Sequence, residues 1–435
     1  MRAMRRRLRG LWRHPDFLKL WCSQTIATFG GHVSLLALPL TAVLVLNASP
    51  VQMGFLMASE TAASVAIGLF AGVWVDRRRR RPILIAADLG RALLLSSIPI
   101  AAWLHVLRME QLYVIGLGLG FLTLCFDLAY LSFLPALVER EHLVEANSKL
   151  EVTRSVARIT GPGLAGALVQ LLTAPIAILL DSFALVLSAF CLVLIRAPEP
   201  AAPPAEERQP VLRDIRAGLR AVLDDPLLRV IAGSTAIVNG FDSVLAAVLV
   251  LYLTREVGLA PAVLGMVFAA FAPGSFVGAL LARPAVQRFG LGRVIVGGAL
   301  LMTVAVLLIP LAHGLPLTVP VLVAAYFVIG VASPLHNVNV MSLQQAITPD
   351  ALLGRVNGSV RFISWGAVPI GALIGGALGS RIGLQPTLFV GLSGYVGWCL
   401  WLFCSPIWRL RKETAVSGPS EESLLRAERQ VVIGS

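Results

Sequence analysis

The chain has 435 residues, 57% of them apolar and 14% charged, with a formal net charge of +12. So small a charged fraction is too little to coat a soluble globule of this size. A basic balance alone admits nucleic-acid binding, but Lys and Arg fall in short blocks between long apolar runs, at every second gap, which is the pattern of a multi-pass membrane protein.

The N-terminal stretch MRAMRRRLRG leads into an apolar run longer than a signal-peptide core and without a closing A-x-A site, so it reads as a cytoplasmic tail before a retained helix. Runs of bilayer-spanning length, about 20 residues or more, then predict helices near 17–46, 51–75, 83–105, 111–138, 150–172 and 175–196. A polar segment over 197–225 follows. Its Pro-rich start reads as a linker, and Val211 to Leu223 as a surface helix. Six further spans are predicted near 227–254, 261–282, 293–312, 317–347, 355–381 and 385–408, before a polar tail over 409–435.

The resulting division is an N-terminal six-helix half (1–196), a cytoplasmic linker (197–225), a C-terminal six-helix half (226–408) and a cytoplasmic tail (409–435). Of the 36 Lys and Arg residues, only Arg108, Arg255 and Arg381 fall in outer connections, and Arg91 lies within a span. The remainder sit on the other side. This asymmetry predicts both termini in the cytoplasm of a bacterial inner-membrane protein. Cys22, Cys125, Cys191, Cys399 and Cys404 all lie in apolar runs without metal-ligand spacing and read as free thiols.

The two halves repeat. At a shift of 211, Pro15 meets Pro226, Pro50 meets Pro261 and Gly54 meets Gly265. At a shift of 210, Gly161 meets Gly371 and Gly166 meets Gly376, while Asn337 is the counterpart of Asp127. A parallel repeat of two six-helix units places a substrate cavity between the halves. The expected fold is therefore all-α, with twelve transmembrane helices in two repeats around a central cavity.

Two motifs carry a resemblance. Gly72-Val-Trp-Val-Asp76-Arg77-Arg78-Arg79-Arg80-Arg81 resembles the G-x-x-x-D-R-x-G-R-R loop of the major facilitator superfamily, with Arg79 in place of a glycine. A glycine there lets two helices approach, and an acid can pair with a neighbouring arginine and hold the cytoplasmic side shut. This gives a cytoplasmic gate of Gly72, Asp76, Arg77, Arg80 and Arg81, joined by Asp88 and Arg91, which stand at i, i+3. Gly161-Pro162-Gly163-Leu164-Ala165-Gly166 formally matches a dinucleotide fingerprint, but it lies in an apolar span with no βαβ unit around it. It is similar to the antiporter signature of the same superfamily, with Ala157 and Ala165 replacing two glycines; Pro162 bends the helix and the small residues let it pack closely. With FDLAYLSFLPALVEREHLVEANSKLE, PIAILLDSFALVLSAF and LRDIRAGLRAVLDDPLLR, the chain resembles the efflux branch that includes macrolide and enterobactin exporters. Members of that branch often carry an acid after the first-helix glycine, where this chain has Gly30-Gly31-His32.

Charges within the spans ask for a reason, since each costs at least about 2.5 kcal/mol at a helix centre. Glu60, Asp127 and Asp242 are the candidates for proton coupling, and Asp181 falls nearer the outer face. His32, Asn239 and Asn337 complete the expected cavity set. Phe29, Trp365 and Tyr326 are of a type that stacks on a hydrophobic substrate, but filling between helices is the better reading of each. No Walker loop or metal cluster appears in the sequence, so no cofactor is expected and an ion gradient is the expected energy source. The expectation is a monomeric transporter, not an enzyme, exporting small amphiphilic molecules in exchange for protons amid membrane lipids, with no nucleic-acid partner. Two alternatives share the pattern: a lysophospholipid transporter of the same fold, and a non-transporting membrane scaffold or sensor.

Overall fold

A computed structural model describes residues 11, 14–76, 78–197, 211–312, 314, 316–349 and 352–410; within these, the side chains of 67–74, 76, 140, 211–215 and 217 are not described. Six helices form the first half: α1 (Pro15–Leu44), α2 (Pro50–Asp76), α3 (Arg80–Trp103), α4 (Met109–Leu137), α5 (Leu143–Leu172) and α6 (Ala174–Val193). The linker helix α7 (Val211–Asp224) precedes six more: α8 (Pro226–Leu251), α9 (Pro261–Phe289, interrupted by a turn at Ala270), α10 (Leu291–Leu311), α11 (Thr318–Ile347), α12 (Leu353–Ile382) and α13 (Leu384–Phe403). Ten of these are long and apolar enough to cross a membrane. The remaining pair, α2 and α5, complete twelve crossings in two repeats.

Local chemistry explains where the halves begin. α1 opens with Pro15 at its first position, where the missing N–H costs nothing, and His14 accepts from the Phe17 N–H. α8 opens in the same way with Pro226, capped by Asp225, whose carboxylate accepts from Leu227 and Leu228 at 2.8 and 2.9 Å. The repeat also fixes the turns that close the fifth span of each half. Thr173 and Gly383, 210 positions apart, both take positive φ, 89° and 92°.

Two helices outrun the spans that hydropathy predicts. α5 starts at Leu143 rather than 150, and α9 runs to Phe289 rather than 282. The extra turns are polar but helical. In α5 they are held by Lys149–Glu145 at 3.1 Å, an i,i+4 pair of the kind that stabilises a helix projecting beyond the bilayer. A helix of 30 residues, as in α1, α5, α11 and α12, is about 45 Å long, against a hydrocarbon core of about 30 Å.

The helix expected over Val211 to Leu223 forms, and one face of it is docked on the second half. Gly218 lies against the Arg355 carbonyl and Ser359 in the first turns of α12, and a Cβ there would stand 2.5 Å from the Ser359 hydroxyl. Val222 is buried with Leu228, Ala232, Val356 and Val360. α7 thus belongs to the second half. The chain after α13 turns back in a similar way: Leu410 accepts from the Gly292 N–H at 3.3 Å. The start of α1, the docked linker helix and the end of the described chain therefore share one end of the bundle.

Candidate functional site

The halves touch chiefly along two helix pairs, α2 with α12 and α5 with α9. Both contacts are glycine crossings. A Cβ on Gly54 would stand 3.0 Å from the Gly376 Cα, and one on Gly166 would stand 2.9 Å from the Gly265 Cα. Gly54 lies at the start of α2 and Gly376 near the end of α12, so this crossing is at the end of the bundle opposite the termini. Gly265 at the start of α9 and Gly166 near the end of α5 form the second crossing at the same end.

The antiporter-like motif supplies one of these contacts. Its three glycines serve three neighbours. Gly161 faces His32 of α1, Gly163 approaches Ala269 of α9, and Gly166 crosses Gly265. α5 remains one helix through Pro162.

Away from the crossings, the structure exposes carboxyl groups within otherwise apolar spans. Asp127 of α4, Asp242 of α8 and Asn337 of α11 are exposed, while Glu60, His32 and Asn239 are half-buried. Arg361 of α12 acts electrostatically on Asp127 from the other half, as do Arg91 and Arg154 from its own. Asp242 accepts from the Tyr395 hydroxyl of α13 at 2.7 Å. Asn239 donates to the Ser364 carbonyl at 3.3 Å, and Asn337 to the Ser333 hydroxyl at 3.1 Å. Glu60 stands where α2 meets Gly116 and Gly120 of α4, close enough that a Cβ on Gly116 would lie 3.3 Å from its Cγ. Trp365 is 46% exposed, with the Arg361 guanidinium 5.8 Å from its ring centre. Tyr326 packs on Phe268, ring centres 5.0 Å apart.

The predicted gate residues divide. Gly72 and Asp76 belong to the last turns of α2, but their side chains, and all of Arg77, lie outside the described residues. Arg80 opens α3. Arg81 donates to the carbonyls of Leu192 and Val193, the last of α6, where a cation is favoured by the helix dipole. Asp88 and Arg91 do pair, as their spacing predicts, and they do so inside the first half. Asp88 is fully buried and accepts from Ser188 of α6 at 2.6 Å.

Two features escape sequence reading. Tyr395, the partner of Asp242, is 1% exposed and carries no pattern that marks it. Asp181, set aside in the sequence as lying near the outer face, sits beside Ser182, whose hydroxyl donates to the Ala92 carbonyl at 2.8 Å, at the middle of α3.

Comparisons with known proteins agree with this architecture. The sequence matches the Major Facilitator Superfamily over residues 20–247 and 231–433. Among curated relatives, the enterobactin exporter EntS of Citrobacter koseri is 27% identical over 93% of this chain and 95% of its own. The multidrug efflux pump Tap of Mycolicibacterium fortuitum is 28% identical over 88% and 93%. Among solved structures, a bacterial homologue of the iron transporter ferroportin in an inward-facing state superposes with a TM-score of 0.75 at 16% identity, covering 89% of this chain and 98% of that one. A bacterial homologue of the lysosomal transporter Spinster reaches 0.71 at 14%, covering 91% and 97%. At such identities the structures speak for the fold, while the sequence match along both halves decides the family: the chain belongs to the Major Facilitator Superfamily of multi-pass membrane transporters.

Proposed function

We propose that the protein is a secondary active exporter of small amphiphilic molecules, a drug, metabolite or siderophore, working by alternating access in exchange for protons. The observation that carries this reading is the pair of exposed carboxyl groups, Asp127 and Asp242, one in each half, within spans that are otherwise apolar. An ionisable group at that depth is tolerated where it lines a water-filled cavity, and such residues mark ion and substrate paths. Relatives named for siderophore export and multidrug efflux support the direction and the substrate class.

In this reading residues 1–196 and 226–408 are the two rocking units, tied by 197–225, and 409–435 is a cytoplasmic tail. The glycine crossings close the end opposite the termini, so the cavity opens toward the cytoplasm if the basic blocks lie inside, as the charge asymmetry demands in a bacterial inner membrane. Glu60, Asp127 and Asp242 exchange the proton. His32, Asn239 and Asn337 line the substrate path, and the Gly72–Arg81 loop closes the cytoplasmic side in the alternate state. The unit is a monomer in lipid. No covalent bond is made or broken.

The test is uptake of a lipophilic cationic dye into inverted vesicles under an imposed pH gradient. Uptake is expected with wild type and is expected to fall at least tenfold in one or more of Glu60→Gln, Asp127→Asn and Asp242→Asn. If all three amide variants accumulate dye as well as wild type does, the coupling assignment is wrong.

A further inference from the structure

A second set of charges lies behind the cavity, inside the first half. Asp181 of α6 is 2% exposed and Asp88 of α3 is fully buried. Among the described residues the cation paired within this set is Arg91, whose guanidinium pairs with Asp88 and lies 4.7 Å from the Phe126 ring centre. Ser188 donates to the other Asp88 oxygen at 2.6 Å, and Ser23 of α1 meets Ser188 at 2.8 Å. Asp88 is thus provided with a counter-ion and a hydroxyl donor.

Asp181 is not. Its Oδ2 accepts from the Ser34 hydroxyl of α1, while its Oδ1 is buried with no hydrogen-bond partner. That oxygen faces Gly30, where a Cβ would collide with it. The charged groups acting on Asp181 are Arg91 and Asp88, both from α3. α1 faces it with Gly30 and Ser34, and α6 has no other charged residue. Two buried carboxyls therefore share one guanidinium already committed to the first. With both ionised, the interior would carry an uncompensated negative charge and a bare anionic oxygen, among the costliest arrangements a low-dielectric interior can hold. A proton removes both faults. It occupies Oδ2 against the Ser34 oxygen, which can accept as well as donate, and leaves Oδ1 as a neutral carbonyl, which goes unpaired at far less cost. A metal ion would require several oxygen ligands, and the structure brings one carboxyl and one hydroxyl.

We infer that Asp181 is a proton-binding site distinct from the cavity carboxyls, closed by Ser34 and tied to the cavity through Arg91. Binding forms one O–H bond on the Asp181 carboxylate and nothing else changes covalently. Arg91 is the link, because its guanidinium pairs with Asp88 and lies against the ring of Phe126, the residue before the exposed Asp127, and its Nε is itself a buried donor without a partner. Movement of the guanidinium toward an ionised Asp127 withdraws positive charge from Asp88 and tightens the hold on the Asp181 proton; return releases it. The function of the site rests on the proton-exchange reading above, but its existence is tested without transport.

The experiment is infrared difference spectroscopy of the full chain in lipid nanodiscs at neutral pH. Wild type minus Asp181→Asn is expected to show the carbonyl stretch of one neutral carboxylic acid. Glu60→Gln, Asp127→Asn and Asp242→Asn are expected to retain that band. It is expected to shift on transfer to D2O, and to move in frequency in Ser34→Ala, a variant that keeps the carboxyl and guards against a folding defect in the amide variant. A difference spectrum carrying ionised-carboxylate bands overturns the site. A band that does not shift in D2O makes the proton a fixed structural one and overturns its role as a carrier. Either failure leaves the vesicle result on the cavity carboxyls untouched.

Discussion

Gly166 of α5 and Gly265 of α9 lie backbone against backbone, and a Cβ on either would stand 2.9 Å from the other's Cα. Their repeat counterparts, Gly376 and Gly54, form the same contact between α12 and α2. The two halves are thus joined at one end by a crossing and its symmetric copy. Neither helix pair can rotate about the site while a side chain fills the crossing. Gly166→Leu is expected to hold this end open, reduce transport more than tenfold and leave folding and insertion intact. A single cysteine introduced near Pro50 in this variant is expected to react with an impermeant maleimide severalfold faster than in wild type. Equal labelling rates would mean that the crossing is not part of the closure.

The hydroxyl of Tyr395 donates to Asp242 at 2.7 Å from a position that is almost wholly buried. A hydrogen bond to a charged group contributes about 1.5–3 kcal/mol. Tyr395→Phe, which removes this donor from Asp242, is expected to shift the midpoint of the pH profile of dye uptake. Asp242→Asn is expected to abolish the pH dependence while dye binding persists. The pH profile of uptake in inverted vesicles separates these outcomes, and an unshifted midpoint in the phenylalanine variant would detach Asp242 from coupling.

The repeat offset was legible because punctuation residues keep their spacing while apolar ones drift: Pro50 with Pro261, Gly54 with Gly265 and Gly166 with Gly376. What the offset does not contain is that these glycines meet crosswise, since a repeat gives equivalence and not contact. Charge within a span singled out Glu60, Asp127 and Asp242, but burial and partnership depend on which face of the helix packs, and apolar spans have almost no amphipathic signal to show it. Asp181 was passed over for another reason, its depth counted from the helix end, although its neighbour Ser182 bonds at the middle of α3. The contact of Arg81 with the end of α6 was not legible, because the sequence does not say which helix end lies beside it.

Thr173 carries a strain that its counterpart Gly383 avoids. Its φ of 89° and ψ of 155° lie in a region open almost only to glycine, and the turn between α5 and α6 requires them. Thr173→Gly is expected to raise stability by about 1–2 kcal/mol, offset in part by greater freedom of the unfolded chain. Thermal unfolding in detergent, followed by tryptophan fluorescence, should show a higher midpoint. The reverse change, Gly383→Thr, should lower it by a comparable amount.

His32 and Gly161 make a sharper case, because one contact joins two features that the sequence presents separately. A Cβ on Gly161 would stand 2.6 Å from the His32 Cβ and 2.8 Å from its Cγ, so the α5 glycine exists to admit the α1 histidine. Gly161→Ala is expected to push the two helices apart or turn the imidazole away, reducing uptake about tenfold. If the damage is steric, removing the whole side chain in the double variant His32→Gly/Gly161→Ala should restore uptake to the level of His32→Gly alone, a strong favourable coupling between sites in contact. If instead the glycine matters for the bend at Pro162, the alanine variant will stay impaired whatever stands at position 32. Initial rates of dye uptake for the four members of this cycle decide between them, with protein levels in the vesicles measured alongside.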